Sequence, residues 1–234
     1  MKRFFTFLFF FSTFNLFYSQ EKNEVKINFK SFWGENQLNL NDSIYILQEN
    51  DSIQIENLKF YVSGFELLNG NKIVYQEKES YHLIDFSAGQ NPTFYLKNIP
   101  EINFDKLKFN LGIDSSTNYA GALGGDLDPT KGMYWTWQNG YINFKLEGKS
   151  NFCETRNNEF VFHLGGFQHP FASLQKIELT LENLNFKNEI SIKLDLEKLI
   201  SKLDLRKTNH IMSPSSEAVK ISEIIKSIFS ISAL

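Results

Sequence analysis

Aromatic side chains gather in one stretch of this chain, while its histidines and internal methionines are scattered over four segments. Residues 114–140 read DSSTNYAGALGGDLDPTKGMYWTWQNG. At about 27 residues this is long for a connection without structure of its own, and long loops of that kind carry function more often than short ones. The stretch holds Trp135 and Trp137, two of the three tryptophans, and Met133. There are four histidines, His82, His163, His169 and His210, and Met212 follows His210 by two residues. Imidazole and thioether groups suit copper(I) better than calcium or magnesium. A plainer reading stands beside this one. His82 and His163 occur in strand-like contexts, Tyr81-His82-Leu83 and Phe162-His163-Leu164, where a histidine is ordinarily a satisfied strand residue. Trp135 and Trp137, two apart, are what one face of a strand would carry, starting the 141–147 strand and filling the core edge.

The same loop carries Asp114, Asp126 and Asp128 among many backbone carbonyls. Oxygen donors of this kind could form a calcium site, although the spacing is not that of an EF-hand. The acids could equally cap turns. An acid–base pair of Asp85 with Asp114 or Asp128, as in glycosidases, has no spacing to support it. No GxSxG and no glycine-rich phosphate loop occurs, and Cys153 with His163 ten residues on does not define a nucleophile–base pair. The chain is expected not to be an enzyme.

The elements that must position these residues read as strands. Leu58, Phe60 and Val62 alternate with polar or amphipathic neighbours. So do Leu107, Phe109, Leu111 and Ile113; Ile142, Phe144 and Leu146; and Ile190, Ile192, Leu194 and Leu196. Period two buries one face and wets the other. Weaker strands are expected at 25–32, 44–47, 73–76, 81–86, 93–96, 160–164 and 177–181. Asn69-Gly70-Asn71, Gln90-Asn91-Pro92, Ile99-Pro100 and Gln138-Asn139-Gly140 punctuate them. About ten strands without intervening helices predict an all-β fold, an antiparallel β-sandwich. One short C-terminal helix is expected, from Ala218, Val219, Ile221, Ile224, Ile225, Ile228 and Phe229 at helical spacing. Ser213 would cap it, with Pro214 at its first position and Glu217 in its first turn.

Composition narrows the function classes. The chain has 234 residues, 42% hydrophobic and 22% charged, which suits one large globular domain. Aromatics reach 15%, with 24 Phe, and aromatic residues favour strands. With 24 basic against 27 acidic residues there is no cationic excess to attract phosphate, so nucleic-acid binding is not expected. The single Cys153 excludes a disulfide framework and cysteine-rich metal sites. At the N-terminus, Lys2 and Arg3 precede an apolar run of about 15 residues that ends at Gln20, Glu21 and Lys22, the pattern of a signal peptide. The run is short of the roughly 20 residues that a membrane span needs. Residues 1–19 are therefore read as a signal peptide and 20–234 as one sandwich domain. The mature chain would have 22 basic and 27 acidic residues, with no further transmembrane run, and would be periplasmic or secreted.

Several stretches resemble a known family. LDPTKGMYWTWQNGY at 127–141, continuing to KLEG at 145–148, is similar to the signature of the MbnP-like proteins, and GMYWTW is its most specific part. LKFYVSGFEL at 58–67, YHLIDF at 81–86, LKFNLGIDSSTN at 107–118, FHLGG at 162–166 and HIMSP at 210–214 agree in order, so the resemblance spans nearly the whole mature chain. It implies a protein associated with methanobactin and copper handling. It also implies kinship with copper-binding surface proteins of methane-oxidising bacteria, in which a tryptophan oxidised to kynurenine binds copper beside histidines. A dihaem peroxidase-like partner makes that oxidation in the MbnP systems.

Carried over residue by residue, the resemblance makes Trp135 or Trp137 the oxidation site. In the surface-protein relatives a histidine follows the modified tryptophan by two positions; here that position is Trp137 if Trp135 is modified. His163 is the first expected imidazole ligand and His82, on a neighbouring strand, the second. His210 and Met212 would form a further copper contact, and Trp135, Trp137 and Met133 an apolar wall that slows oxidation by solvent. The competing class is a β-sandwich binding module, without metal or stabilised by calcium, that presents the aromatic loop to a ligand.

Overall fold

The computed structural model describes residues 23–47, 51–181 and 189–232. The expected signal peptide, residues 1–19, lies outside them. Fourteen strands are formed among the described residues: β1 (Val25–Trp33), β2 (Asn36–Gln37), β3 (Ile53–Asn69), β4 (Lys72–Gln76), β5 (Tyr81–Asp85), β6 (Thr93–Leu96), β7 (Lys106–Leu111), β8 (Tyr134–Trp135), β9 (Gly140–Ser150), β10 (Glu159–Gly165), β11 (Gln175–Thr180), β12 (Glu189–Asp195), β13 (His210–Ile211) and β14 (Phe229–Ile231). Three short helices accompany them, α1 (Ser115–Ala120), α2 (Leu196–Ile200) and α3 (Ser216–Lys226).

Two sheets form the sandwich. The smaller runs β14-β12-β1, with β2 and β6 also on β1; the larger is built on β3, β7, β9, β10, β11 and β13, with β4, β5 and β8 attached. Strand β3 is the spine. Lys59 and Phe60 pair with β5 on one edge and β9 on the other, and further along Glu66 pairs with β4 and β7. The sheets are mixed rather than purely antiparallel: β1 runs parallel to β12 and β10 parallel to β13. Parallel neighbours need no tight turn, and these pairs are joined by long stretches of chain.

Alternation drives the packing. Leu58, Phe60 and Val62 of β3, Leu107, Phe109 and Leu111 of β7, and Phe144 and Leu146 of β9 point between the sheets and are buried. The rings of Phe60 and Phe144 stack at 5.6 Å, those of Phe65 and Phe109 at 5.2 Å, and Phe29 meets Phe60 edge-on at 5.6 Å. Each such side chain contributes about 1.5–3 kcal/mol by leaving water. Helix α3 packs Ala218, Ile221 and Ile225 into this core.

Several expectations need correction. Residues 44–47 form no strand, only an isolated bridge from Tyr45 to Ile53. The C-terminal helix starts later than Ser213 and Pro214 suggest: Ser215 is the cap, accepting from the Ala218 amide, and the helix ends at Lys226. Phe229 therefore leaves the helix and joins β14 against Leu194. Leu196 ends the β12 alternation and opens α2, capped by Asp195. No helix among the described residues is long and apolar enough to cross a membrane.

Candidate functional site

The 114–140 stretch folds onto the outer face of the large sheet. Asp114 caps α1, accepting from the Thr117 amide at 2.9 Å. Asp128 caps a 3-10 turn at Pro129–Lys131 through the Thr130 amide, and Gly132 ends that turn in the left-handed region at φ 73°. A tight turn then joins β8 to β9, with Tyr134 opposite Tyr141 and Trp135 opposite Gly140. Beneath this arch lies a second, smaller core of Tyr61, Ile113, Leu127, Met133, Trp135, Tyr141 and Ile142. Tyr61 alternates with the inward Phe60 and Val62, which turns its ring to this outer face. Its hydroxyl donates to the Asp126 carbonyl at 2.9 Å, and burial pushes its pKa up.

The arch separates the two tryptophans. Trp135 is 5% exposed and packs over Gly165, where an added Cβ would lie 2.6 Å from its ring. Its indole Nε1 is buried without a hydrogen-bond partner among the described residues. Trp137 is 65% exposed, with its ring centroid 5.9 Å from that of Trp135. The two do not share one core edge, because β8 ends at Trp135 and the turn carries Trp137 outward.

His163 lies two residues before Gly165 on β10. Its Nε2 is 2.5 Å from Glu147 Oε1 on β9. Glu147 also accepts from Asn57 Nδ2 at 2.8 Å. The bond from His163, opposed by burial and aided by Asn57, holds the Glu147 carboxyl at about 2. An ionised carboxylate only accepts, so Nε2 is the donor in this pair, and in the neutral ring the lone pair then sits on Nδ1. A row of charge crosses the same face in register: Asp85, Lys59, Lys145 and His163. Lys59 pairs with Asp85 at 2.8 Å, and Lys145 donates to the Gly132 carbonyl at 2.6 Å, pinning the start of the tryptophan segment beside His163. Burial lowers the Lys145 pKa.

His210 and Met212 come alongside through β13. Val161 pairs with His210 and Phe162 with Ile211 in parallel. Ile211 is buried with Phe162, so His210 faces the side of Val161 and His163. His163 comes next on β10, and Met212, 43% exposed, follows the end of β13.

His82 does not join this group. It sits on β5 opposite Val62 and points to the inner side, away from Tyr81 and Leu83. Its ring stacks on Phe94 at 3.6 Å and its Nε2 is 2.9 Å from Glu77. Strands β3 and β9 lie between it and β10, so adjacency to His163 is not realised. His169 is exposed beyond β10.

The three loop aspartates are each occupied by the protein's own donors. Asp114 takes Ser116, Thr117 and Tyr81; burial pushes its carboxyl up, but these bonds outweigh it and hold the group at about 2. Asp126 accepts from the Leu83 amide at 3.0 Å and from Lys131 at 2.6 Å, and Asp128 from Thr130 at 2.8 Å. They act as caps and braces. Among the described residues no three His, Cys, Asp or Glu side chains come together as a metal-binding group. The β10–β13 register places His210 and Met212 on the same face as His163; imidazole and thioether donors of this kind suit copper(I) better than a hard cation.

Sequence reasoning missed Glu147, Asn57 and Lys145. The 141–147 alternation places Lys145 and Glu147 on the wet face, but only the β9–β10 register puts them beside His163.

The family model described as MbnP matches residues 22–213. Among solved structures, MbnP from Methylosinus trichosporium is similar, with a TM-score of 0.58 and 16% identity over 85% of this chain and 87% of that one. At that identity the likeness speaks for the fold. No curated protein sequence matches.

Proposed function

The chain belongs to the MbnP family, and from that premise we propose that it is an exported copper-binding protein rather than an enzyme. The observation that carries the proposal is the His163–Glu147 pair at 2.5 Å. Metal-ligating histidines characteristically donate their second ring N–H to a carboxylate, which fixes the tautomer and makes the imidazole a better ligand. His163 is the principal ligand. His210 and Met212 supply a second imidazole and a thioether. Trp135 and Met133 close the apolar side. Copper(I) accepts two or three ligands of this softness, and the metal is cargo here.

Trp137 is the proposed oxidation site, because an electron leaving the indole for a docked haem needs a ring at the surface and Trp137 is 65% exposed. The oxidant is hydrogen peroxide consumed by a dihaem peroxidase-like partner. Two equivalents of peroxide open the indole to N-formylkynurenine, each delivering one oxygen and leaving as water, and hydrolysis then releases formate, so the residue loses one carbon and gains one oxygen overall. Metal analysis of mature protein purified after copper exposure under reducing conditions tests the copper reading. Stoichiometric copper that disappears in His163→Ala supports it, and copper-free wild type contradicts it.

A further inference from the structure

The loop that carries the tryptophans builds a second feature away from His163. A cleft of about 690 Å³ opens between α1, the turn after β8 and the segment that follows β10. Its walls are aromatic, from Tyr119, Tyr134 and Phe167; Gln138, Asn139 and Gln168 add amides at the rim, and no lining residue is charged. Tyr119 is 69% exposed and meets the Phe167 ring edge-on at 5.0 Å. The three amides are exposed, and their side chains make no hydrogen bond to any described residue.

The cleft is held in shape from beneath. Asn118, 3% exposed, accepts from the Tyr141 amide at 2.9 Å and donates to the Ile113 and Asp114 carbonyls at 3.0 Å. Those bonds tie α1 to β9 and the end of β7, so Tyr119 next in sequence is presented by a braced helix. A preorganised wall lowers the ordering cost of binding.

The volume falls in the range of small-molecule sites, which combine apolar lining with a few polar groups. The polar groups here are amides, each offering a donor and an acceptor side by side. A pyranose has the complementary make-up: a C–H face that desolvates against an aromatic ring, and an edge of neighbouring hydroxyls that both donate and accept. An anionic sugar would find no cation in the wall to offset its desolvation. We propose that this cleft binds an uncharged oligosaccharide, with a sugar ring against Tyr119 and hydroxyls on Gln138, Asn139 and Gln168. The site is separate from the histidine face and does not depend on copper.

The test is a titration of the mature protein with cellohexaose, laminarihexaose and chitohexaose, and with trigalacturonate as the charged control. Calorimetry measures affinity, and Trp137, flanked by Thr136 and Gln138, reports by fluorescence. At least one neutral hexasaccharide should bind with Kd below about 1 mM. Tyr119→Ala and Gln138→Ala should each weaken it about tenfold or more, and Tyr119→Phe should retain it. Tyr119 is exposed, so its substitution leaves the fold intact, and copper uptake by the same variants should match wild type. Failure of all three neutral sugars, binding unchanged in Tyr119→Ala, or preference for trigalacturonate would each overturn the proposal.

Discussion

The imidazole of His163 is held by Glu147, Nε2 to Oε1 at 2.5 Å, and Asn57 steadies the same carboxylate from 2.8 Å. The three residues come from β10, β9 and β3, so the ring's orientation is set by sheet register rather than by local sequence. Glu147→Ala removes the orienting carboxylate and leaves the imidazole in place. Copper(I) affinity should fall about 10–100-fold, while Glu147→Gln, which still offers a carbonyl acceptor, should fall less. Equal affinity of Glu147→Ala and wild type, by chelator competition, would mean that the pair is only structural.

Gly165 tests how closely Trp135 is seated. An added Cβ would lie 2.6 Å from the Trp135 ring and 2.7 Å from the Tyr141 carbonyl. Gly165→Ala should cost about 1–3 kcal/mol by overpacking and expose Trp135 to solvent. Chemical denaturation reads the first effect and a red-shifted fluorescence maximum the second. An unshifted spectrum at wild-type stability would contradict the described packing.

The backbone architecture was largely legible, and its limits have physical causes. Of the eleven expected strand segments, four read from alternation and seven weaker, all but 44–47 are strands: β1, β3, β4, β5, β6, β7, β9, β10, β11 and β12. Strands β2, β8, β13 and β14 have two or three residues, too few to carry a period. Ile228 and Phe229 fit a helical stripe equally well, and only the pairing of Phe229 with Leu194 decides for strand. In the site, His163 was legible as a ligand candidate, and the neighbourhood of His210 and Met212 follows from a parallel register that no local pattern encodes. His82 illustrates the reverse error. Its context, Tyr81-His82-Leu83, resembles that of His163, but it takes the inward parity of β5 while His163 takes the outward parity of β10.

Asp114 gives the loop a pH signature. Its folded carboxyl titrates at about 2, below the ordinary 3.8. A depressed carboxylate stabilises the fold above its unfolded pKa, and that contribution is lost as pH falls from 3.8 toward 2. Asp114→Ala should cost about 1 kcal/mol at neutral pH through the lost helix cap, and the gap to wild type should close at the acid end of this window. A gap that stays constant down to pH 2 would show that the cap acts without its charge.

The two tryptophans should differ chemically. After co-expression with a dihaem peroxidase-like partner, mass spectrometry should find the loss of one carbon and gain of one oxygen on a peptide spanning 131–148. Trp137→Phe should abolish it, Trp135→Phe should leave it in place, and Trp33 should carry no change. Modification that persists in Trp137→Phe would move the oxidation to buried Trp135 and contradict the surface-access argument.

Copper(I) titration of the mature protein against a chromogenic chelator, wild type beside His163→Ala, tests the central claim most directly. One copper(I) per wild-type chain with micromolar or tighter affinity, weakened at least about 100-fold in His163→Ala, is the predicted result. Wild-type binding weaker than about 0.1 mM, or a His163→Ala variant that binds as wild type does, would contradict it.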